Sequence, residues 1–292
     1  MSATAPIERF IFTIATGRCG QSSLTELVEN HVPDCYAAFE QPDIRPILPR
    51  ALQPYERRFR RRFIETNELL GRGKVLAAFE NGDHDYIDCI VDKRLRRIRR
   101  EIARRNAGIY FDISKFFARC LHLAFTKAVG RYALVHLVRD PVRNMRSFLN
   151  RNKNFTLDNN RPEARSNVLR MSSAEMSAGE FYLWAWCELY LRYEEMCQSS
   201  ALTHAVEIRT ESLQDAAAMD AAFDRLGLVH SPVRPLPPAN TNSSRGLLET
   251  RVGADDIRTF ERFCDRMPVS LRDRINYFKT YDPWSFHRLR DG

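Results

Sequence analysis

The sequence predicts an α/β fold in which a mainly parallel central sheet is flanked by helices. The first observation behind this prediction is that short apolar runs alternate with segments of helical periodicity along the 292 residues. Such alternation is typical of parallel strands joined by crossover helices. The second observation is that two of the runs end in sequences typical of anion-binding turns that open a helix. The predicted strands are 8–15, 35–40, 109–113, 132–138 and 204–209.

Two segments between the strands are apolar enough to pack on the sheet as helices. After Ser114, apolar residues recur at helical spacing: Phe116, Phe117, Cys120, Leu121, Ala124 and Phe125. Residues 179–197 form a second apolar segment that contains Trp184, Trp186 and Tyr190. We expect these aromatic side chains to belong to the core rather than to a ligand platform.

The first predicted strand leads into a turn bracketed by two glycines. Gly17 and Gly20 allow backbone N–H groups to approach an anion closely, and a helix then opens with Leu24, Leu27 and Val28 on one face. The positive end of that helix dipole lies at the same place. We call residues 17–23 the glycine loop, and the pattern predicts that it binds a phosphate-like group.

A second strand ends in a similar arrangement at residues 139–147, here called the second anion element. Arg139 lies at the end of an apolar strand, Asp140 is a helix cap, and Pro141 takes the first helical position. Ser147 follows two turns along the predicted helix. Two anion sites indicate a nucleotide that is phosphorylated at both ends.

The glycine loop departs from the Walker pattern of ATP-hydrolysing proteins. That pattern places a lysine on the terminal phosphates, followed by a hydroxyl that binds magnesium. Here Ala15 stands at its first glycine, Gln21 at the lysine and Ser22 at the hydroxyl. Arg18 supplies a cation three residues earlier. Without the lysine, phosphoryl transfer from Mg-ATP is disfavoured.

Together, the two motifs resemble those of PAPS-dependent sulfotransferases. The run Gly17-Arg18-Cys19-Gly20-Gln21-Ser22 is similar to that family's GRSGTT-like loop, and Arg139-Asp140-Pro141 with Ser147 is similar to its RDP…S element. The strand end at 110–115 and the segments 207–213 and 226–228 resemble further family motifs in the same order. The resemblance implies a P-loop NTPase-like sulfotransferase fold. It also implies PAPS (3′-phosphoadenosine 5′-phosphosulfate) as co-substrate.

The resemblance also implies a role for each matched residue. The 5′-phosphosulfate would be bound by the glycine loop: Gly17, Arg18, Cys19, Gly20, Gln21, Ser22 and Ser23. Arg139 and Ser147 would bind the 3′-phosphate. Arg245 lies in a polar segment near the end of the chain, which is expected either to close over the nucleotide or to form an exposed turn. Because the leaving oxygen gains negative charge during transfer, Arg18 is also expected to stabilise it.

Two carboxylates are alternatives for the general base that removes the acceptor proton. Glu40 follows the second strand and resembles the glutamate that protein-tyrosine and some bacterial glycolipid sulfotransferases use. Asp112 matches the glutamate of the family's FEKS strand end, but its side chain is one methylene shorter. The family lysine is replaced by Ile113, so that Lys115 is the nearest substitute. We favour Glu40 as the base and keep Asp112 as the alternative.

Composition bounds the remaining possibilities. Seven cysteines without a CxxC spacing argue for reduced thiols, and no metal site is expected. Cys19 is expected to fill a serine-sized position, although a thiol at a helix start can also be reactive. No apolar run has the length of a membrane span, so we expect a cytoplasmic, bacterial enzyme. The net charge of +8 draws on basic runs at 57–62 and 93–105. We favour solvated faces for these runs and keep a polyanion site as the alternative.

The sequence therefore predicts one sulfotransferase domain over residues 1–292. Its polar segment 150–173 is expected to be a mobile insertion on the acceptor side, and 239–292 a helical C-terminal section. The expected acceptor is a hydroxyl on a carbohydrate or glycolipid, with a tyrosyl or phenolic hydroxyl as the alternative. A P-loop nucleotide kinase and a non-catalytic nucleotide- or polyanion-binding protein remain the competing classes. Nucleic-acid binding is not expected, because the basic runs lack interleaved aromatic residues.

Overall fold

The computed structural model describes residues 8–41, 66–150, 160–234 and 252–285, together with 48, 49, 51, 52, 55 and 59. The strands are β1 (Arg9–Ile14), β2 (Cys35–Phe39), β3 (Ile109–Ile113), β4 (Tyr132–Val138) and β5 (Leu202–Arg209). The helices are α1 (Gln21–His31), α2 (Thr66–Leu69), α3 (Lys74–Asn81), α4 (His84–Arg105), α5 (His122–Val129), α6 (Pro141–Leu149), α7 (Ala178–Met196), α8 (Ala216–Arg225), α9 (Ala254–Arg266), α10 (Val269–Arg272) and α11 (Asn276–Lys279). A π-helical turn (Phe117–Leu121) precedes α5, and a 3₁₀ turn (Thr210–Gln214) precedes α8.

The described strands form one parallel sheet in the order β2-β3-β1-β4-β5. Each strand lies within two residues of its predicted bounds at either end, and the predicted α/β class with a mainly parallel sheet is confirmed. Because the strands are parallel, the turns that follow β1, β3 and β4 meet at one edge of the sheet. Both predicted anion-binding turns therefore belong to the same edge.

The side chains of β1 alternate between the two faces of the sheet, and each face is covered by its own apolar layer. Phe10, Phe12 and Ile14 pack on the face covered by α4 and α5. Ile11 packs on the opposite face, with α1 and α8. The Phe12 ring is stacked on Phe117 of the π-helical turn, with ring centres 4.2 Å apart. The predicted helix after Ser114 is thus present, although it begins as a π-helical turn.

A third apolar cluster joins α7 to α6, α9 and the short last helices. Trp184 and Trp186 of α7 are both buried here, as the sequence predicted for its aromatic side chains. Trp186 is stacked on Phe278 of α11, with ring centres 5.5 Å apart. The described C-terminal residues are therefore part of the core around α7.

The basic run at 93–105 lies on α4. Leu95, Ile98 and Ile102 are buried against the sheet, and most of the arginines of this run lie on its outer side. The predicted solvated face is therefore confirmed for this run, with the exception of Arg94, which is fully buried. Of the other run, 57–62, only Phe59 belongs to the described residues.

The part of the segment 150–173 that the structure describes is attached to α7. The Leu169 side chain is buried, its amide donates to Glu188 (2.7 Å), and its carbonyl accepts from the Trp184 indole (2.8 Å). Asn167 accepts a hydrogen bond from Arg192 (2.9 Å). Residues 151–159 lie outside the described part of the chain, so the predicted mobility of the insertion stays a prediction there.

None of the helices that the structure describes combines the length and the apolar character needed to cross a membrane.

Candidate active site

The glycine loop follows the central strand β1. At both of its glycines the backbone has a positive φ, which favours glycine. Gly17 and Gly20 have φ of 95° and 86°, and Arg18 between them has φ of 63°. A Cβ on Gly20 would lie 2.4 Å from Cδ1 of Leu213. Any other residue at position 20 would therefore have to displace the Leu213 side chain and adopt a left-handed backbone.

The carbonyl groups of the glycine loop and of the residue before it bond into the protein. Thr16, Gly17, Arg18 and Cys19 each accept a hydrogen bond through their backbone oxygen. The donors are Arg119 (3.4 Å), the Tyr182 hydroxyl (3.1 Å), Arg139 (3.0 Å) and the Thr210 hydroxyl (2.8 Å), respectively. These bonds fix the loop conformation at four successive residues. The first amides of α1 have no carbonyl partner within the helix and remain available as donors.

The second anion element is in contact with the glycine loop. Asp140 caps α6 by accepting from the amide of Arg143 (2.8 Å), and Pro141 occupies the first turn of that helix. The Arg139 backbone is held by the Trp186 indole, which donates to its carbonyl (3.0 Å). Its guanidinium donates to the carbonyl of Arg18 in the glycine loop. The two predicted anion-binding elements therefore meet at a hydrogen bond.

Two predicted ligand-binding side chains carry buried polar atoms that have no partner among the described residues. They are Nε2 of Gln21 and Oγ of Ser147, and both residues are at least nine-tenths buried. A buried donor without a partner is costly, and such atoms commonly await a ligand or water. Each side chain thus has a polar atom that could bind the anionic ligand predicted from the sequence.

Cys19 has the surroundings of a packing residue. Its side chain is fully buried, and its Sγ lies 3.6 Å from Oγ1 of Thr16. Burial raises the pKa of this thiol, against smaller opposing effects from Thr16, Gly17 and Arg139. The expectation that Cys19 fills a serine-sized position agrees with this environment.

Glu40 and Lys115 come together beside the glycine loop. Lys115 Nζ lies 3.4 Å from Oε1 of Glu40, and the two side chains are 25% and 31% exposed. Glu40 sits directly after β2 with φ of 47°. The aliphatic part of Lys115 also borders Gly17, since its Cδ lies 3.1 Å from where a Cβ on Gly17 would be. A partly exposed carboxylate, an ammonium group and the glycine loop thus share one corner.

Asp112 is placed differently from Glu40. It is fully buried, forms an ion pair with the equally buried Arg94, and accepts a hydrogen bond from the Tyr110 hydroxyl (3.2 Å). Burial raises the pKa of this carboxyl, while Arg94 and Tyr110 act in the opposite direction. No solvent-accessible surface remains for contact with an acceptor.

The other predicted site residues are less constrained. Ser22 and Ser23 lie in the first turn of α1, where Ser22 is exposed and Ser23 is half-buried, and Arg18 is half-buried. Arg245 lies outside the described residues. Among the residues that are described, no three His, Cys, Asp or Glu side chains are grouped as a metal site.

Sequence reasoning missed the side chains that hold the glycine loop from behind. They are Arg119, Tyr182 and Thr210, together with Asn144, whose amide donates to Oγ1 of Thr16 (2.8 Å). Of these, only Arg119 carried a signal, as a charged residue within the largely apolar run 116–125. It does not reveal which distant carbonyl or hydroxyl the side chain will reach.

The solved structures that this chain resembles include two sulfotransferases. This chain resembles the sulfotransferase domain of the olefin synthase from Synechococcus PCC 7002, with a TM-score of 0.45 and 16% identity over 92% of this chain and 98% of that one. It also resembles the sulfotransferase STF9 from Mycobacterium avium, with a TM-score of 0.46 and 14% identity over 95% of this chain and 78% of that one. No protein-family model matches the sequence, and no curated protein matches it.

Proposed function

We propose that this protein is a PAPS-dependent sulfotransferase. It would move the sulfuryl group of PAPS to an acceptor hydroxyl, giving a sulfate ester and 3′,5′-ADP. The favoured acceptor is a hydroxyl on a carbohydrate or glycolipid, and a tyrosyl or phenolic hydroxyl is the alternative. We further propose that residues 1–292 act as one domain in the cytoplasm and that the reaction needs no metal.

The observation that carries the proposal is the hydrogen bond from Arg139 to the carbonyl of Arg18 (3.0 Å). It joins the two predicted anion-binding elements at one edge of the sheet, which supports a ligand with phosphates at both ends. The partnerless buried atoms of Gln21 and Ser147 lie one in each element, and both would be satisfied by phosphate oxygens. Gln21 also stands where a kinase would need its lysine, which disfavours the kinase alternative.

Glu40, Lys115 and Arg18 would carry the chemistry. Glu40 takes the proton of the acceptor hydroxyl while the acceptor oxygen forms its bond to sulfur. The bond between sulfur and the 5′-phosphate oxygen breaks, and that oxygen keeps the electron pair. Arg18 and the first amides of α1 would stabilise its charge. Lys115, which contacts Glu40 and borders Gly17, would add a positive charge between the base and the glycine loop. Asp112 instead positions the strand end through its ion pair with Arg94.

Calorimetry with 3′,5′-ADP, 5′-ADP and Mg-ATP tests the proposal. We expect magnesium-independent binding of 3′,5′-ADP that is tighter than binding of 5′-ADP. Arg139→Ala should weaken 3′,5′-ADP binding by about tenfold to a hundredfold, since it removes a charge-assisted contact. Arg131→Ala is the matched control, because Arg131 is exposed next to the opposite end of the same strand.

Two other outcomes would support the competing classes. Magnesium-dependent preference for ATP would indicate a nucleotide kinase. Absence of binding by all three nucleotides would leave a polyanion-binding protein as the better explanation.

A further inference from the structure

The backbone at the end of β4 is held by side chains from α7 and from the end of β5. The Thr210 hydroxyl donates to the carbonyl of Val138 (3.2 Å). One residue further on, the Trp186 indole donates to the carbonyl of Arg139 (3.0 Å). Arg139 follows the last residue of β4 that pairs with β5, so the strand ladder does not extend to it. The Trp186 bond therefore holds the backbone at the point where the sheet pairing ends.

The Trp186 ring is itself fixed by other aromatic rings. It is buried and stacked on Tyr190 of the same helix, with ring centres 5.5 Å apart. It is also stacked on Phe278 of α11 at 5.5 Å, and the Tyr277 ring meets it at an interplanar angle of 71°. Because these contacts restrict rotation of the ring, the indole N–H keeps its direction toward Arg139.

The predicted role of Arg139 depends on the direction of its side chain. A guanidinium binds a phosphate best when two of its N–H groups face two phosphate oxygens. Its Nη1 donates to the carbonyl of Arg18 (3.0 Å), and the planar group carries further donors. A change in the backbone angle ψ of Arg139 would turn the whole side chain relative to α6, which carries Ser147. The two predicted ligands of the 3′-phosphate would then no longer converge on one group.

We infer that Trp186 is a positioning residue for the 3′-phosphate of the donor nucleotide. Through the carbonyl of Arg139, its indole N–H sets the direction of the guanidinium relative to Ser147. This inference rests on the proposed sulfotransferase function, and it assigns to Trp186 part of the selectivity for 3′-phosphorylated nucleotides. The glycine loop keeps three other supporting bonds, so the effect should be confined to the 3′ end of the nucleotide.

Trp186→Phe tests the inference, because it keeps an aromatic ring in the stack and removes the N–H donor. Calorimetry with 3′,5′-ADP and 5′-ADP measures the selectivity as the ratio of the two affinities. We expect the affinity for 3′,5′-ADP to fall about threefold to tenfold and that for 5′-ADP to change by less than about twofold. In transfer assays, the KM for PAPS should rise by a similar factor while kcat does not fall.

Trp184→Phe is the matched control. Trp184 lies on the same helix and is equally buried, but its indole donates to the carbonyl of Leu169 (2.8 Å). The substitution removes a bond of the same kind outside the proposed donor site. Trp184→Phe should therefore lower the melting temperature about as much as Trp186→Phe does, and it should leave the ratio of affinities at the wild-type value.

A double-mutant cycle separates positioning from a general effect on packing. Because Trp186 is inferred to act through Arg139, Trp186→Phe should cause no further loss of 3′,5′-ADP affinity in an Arg139→Ala background. Replacement of Trp186 by β-(3-benzothienyl)alanine exchanges the N–H group for sulfur and keeps the size of the ring. It should reproduce the change in selectivity, and it provides the test where Trp186→Phe does not fold.

An equal loss of affinity for both nucleotides would overturn the inference, because it would leave Trp186 with a general structural role. An unchanged ratio of affinities in both Trp186 variants would overturn it too, and so would losses that add in the Arg139→Ala background. Failure of the wild type to bind 3′,5′-ADP would instead refute the sulfotransferase proposal, and the inference with it.

Discussion

At the scale of single residues, the two carboxylates considered for proton transfer differ in their exposure to solvent. The Glu40 side chain is 31% exposed and lies next to Lys115. Asp112 has no exposed surface and is bound by Arg94 and Tyr110. A general base must come within hydrogen-bond reach of the proton that it removes. Only Glu40 satisfies that requirement without a rearrangement of the core.

Glu40→Gln should keep nucleotide binding and lose most turnover. The amide retains the size of the side chain but accepts no proton, so we expect transfer to fall about a hundredfold to ten-thousandfold. Binding of 3′,5′-ADP, measured by calorimetry, should stay at the wild-type level. Glu26→Gln, on the exposed side of α1, is the control. Unchanged turnover in Glu40→Gln would move the base elsewhere.

Asp112→Asn should instead reduce stability. It leaves the Arg94 guanidinium buried without its carboxylate, and breaking a buried pair in this way costs about 3–5 kcal/mol. The free energy of unfolding is measured by urea denaturation. Asp88→Asn, which removes the carboxylate paired with the exposed Lys127, should cost less than about 1 kcal/mol. Equal stability of both variants, with transfer lost only in Asp112→Asn, would restore Asp112 as the base.

At the scale of elements, the glycine loop takes its shape from its neighbours as much as from its own residues. Tyr182 reaches it from α7, Thr210 from the end of β5 and Arg139 from the end of β4. Each donates to a different carbonyl of the loop. The orientation of the loop amides toward a ligand therefore depends on the packing of α7 against the sheet.

Tyr182→Phe should weaken the affinity for 3′,5′-ADP by about threefold to tenfold. The substitution removes the hydroxyl that binds the carbonyl of Gly17, and a hydrogen bond contributes about 0.5–1.5 kcal/mol. Tyr190→Phe, two turns along the same helix, is the matched control. An unchanged affinity in Tyr182→Phe, together with a lowered melting temperature, would reduce Tyr182 to a structural role.

Much of the architecture could be predicted because it depends on local patterns. The strands β1 to β4 are mostly apolar runs, and Asp140 and Pro141 begin α6 as their helix-start preferences predict. The contacts behind the glycine loop could not be predicted in the same way. Asn144 reaches Thr16 across 128 residues of sequence, and no spacing rule connects the two. The exposure of a side chain likewise depends on the assembled fold. The sequence could therefore only rank Glu40 above Asp112 as the candidate base.

At the scale of the whole molecule, a buried histidine should make the free energy of unfolding depend on pH. His122 begins α5, and burial together with repulsion from Arg192 lowers its pKa to about 3. In the unfolded chain a histidine has a pKa of about 6.5. Between these values the unfolded state binds a proton that the folded state does not. The contribution of His122 to the free energy of unfolding therefore falls as the pH falls through this range.

With His122→Gln, the free energy of unfolding should fall less steeply as the pH is lowered from about 6 to about 4. The glutamine does not titrate, so this proton uptake on unfolding disappears. Urea denaturation across that pH range measures the slope of stability against pH for each variant. Leu123→Gln, at an exposed position of the same helix, changes no titratable group and should keep the wild-type slope. Identical slopes in all three proteins would show that His122 is accessible to protons in the folded state.

The bonds behind the glycine loop also bear on how the chain folds. They join residues that are 103, 121, 165 and 191 positions apart in the sequence. Contacts of such high sequence separation form late, because the entropy of closing long segments must be overcome first. During refolding, recovery of nucleotide affinity should lag behind recovery of the helical circular dichroism signal. While Thr210 of a nascent chain is still inside the ribosome, the glycine loop would lack the hydrogen bond that Thr210 donates to it.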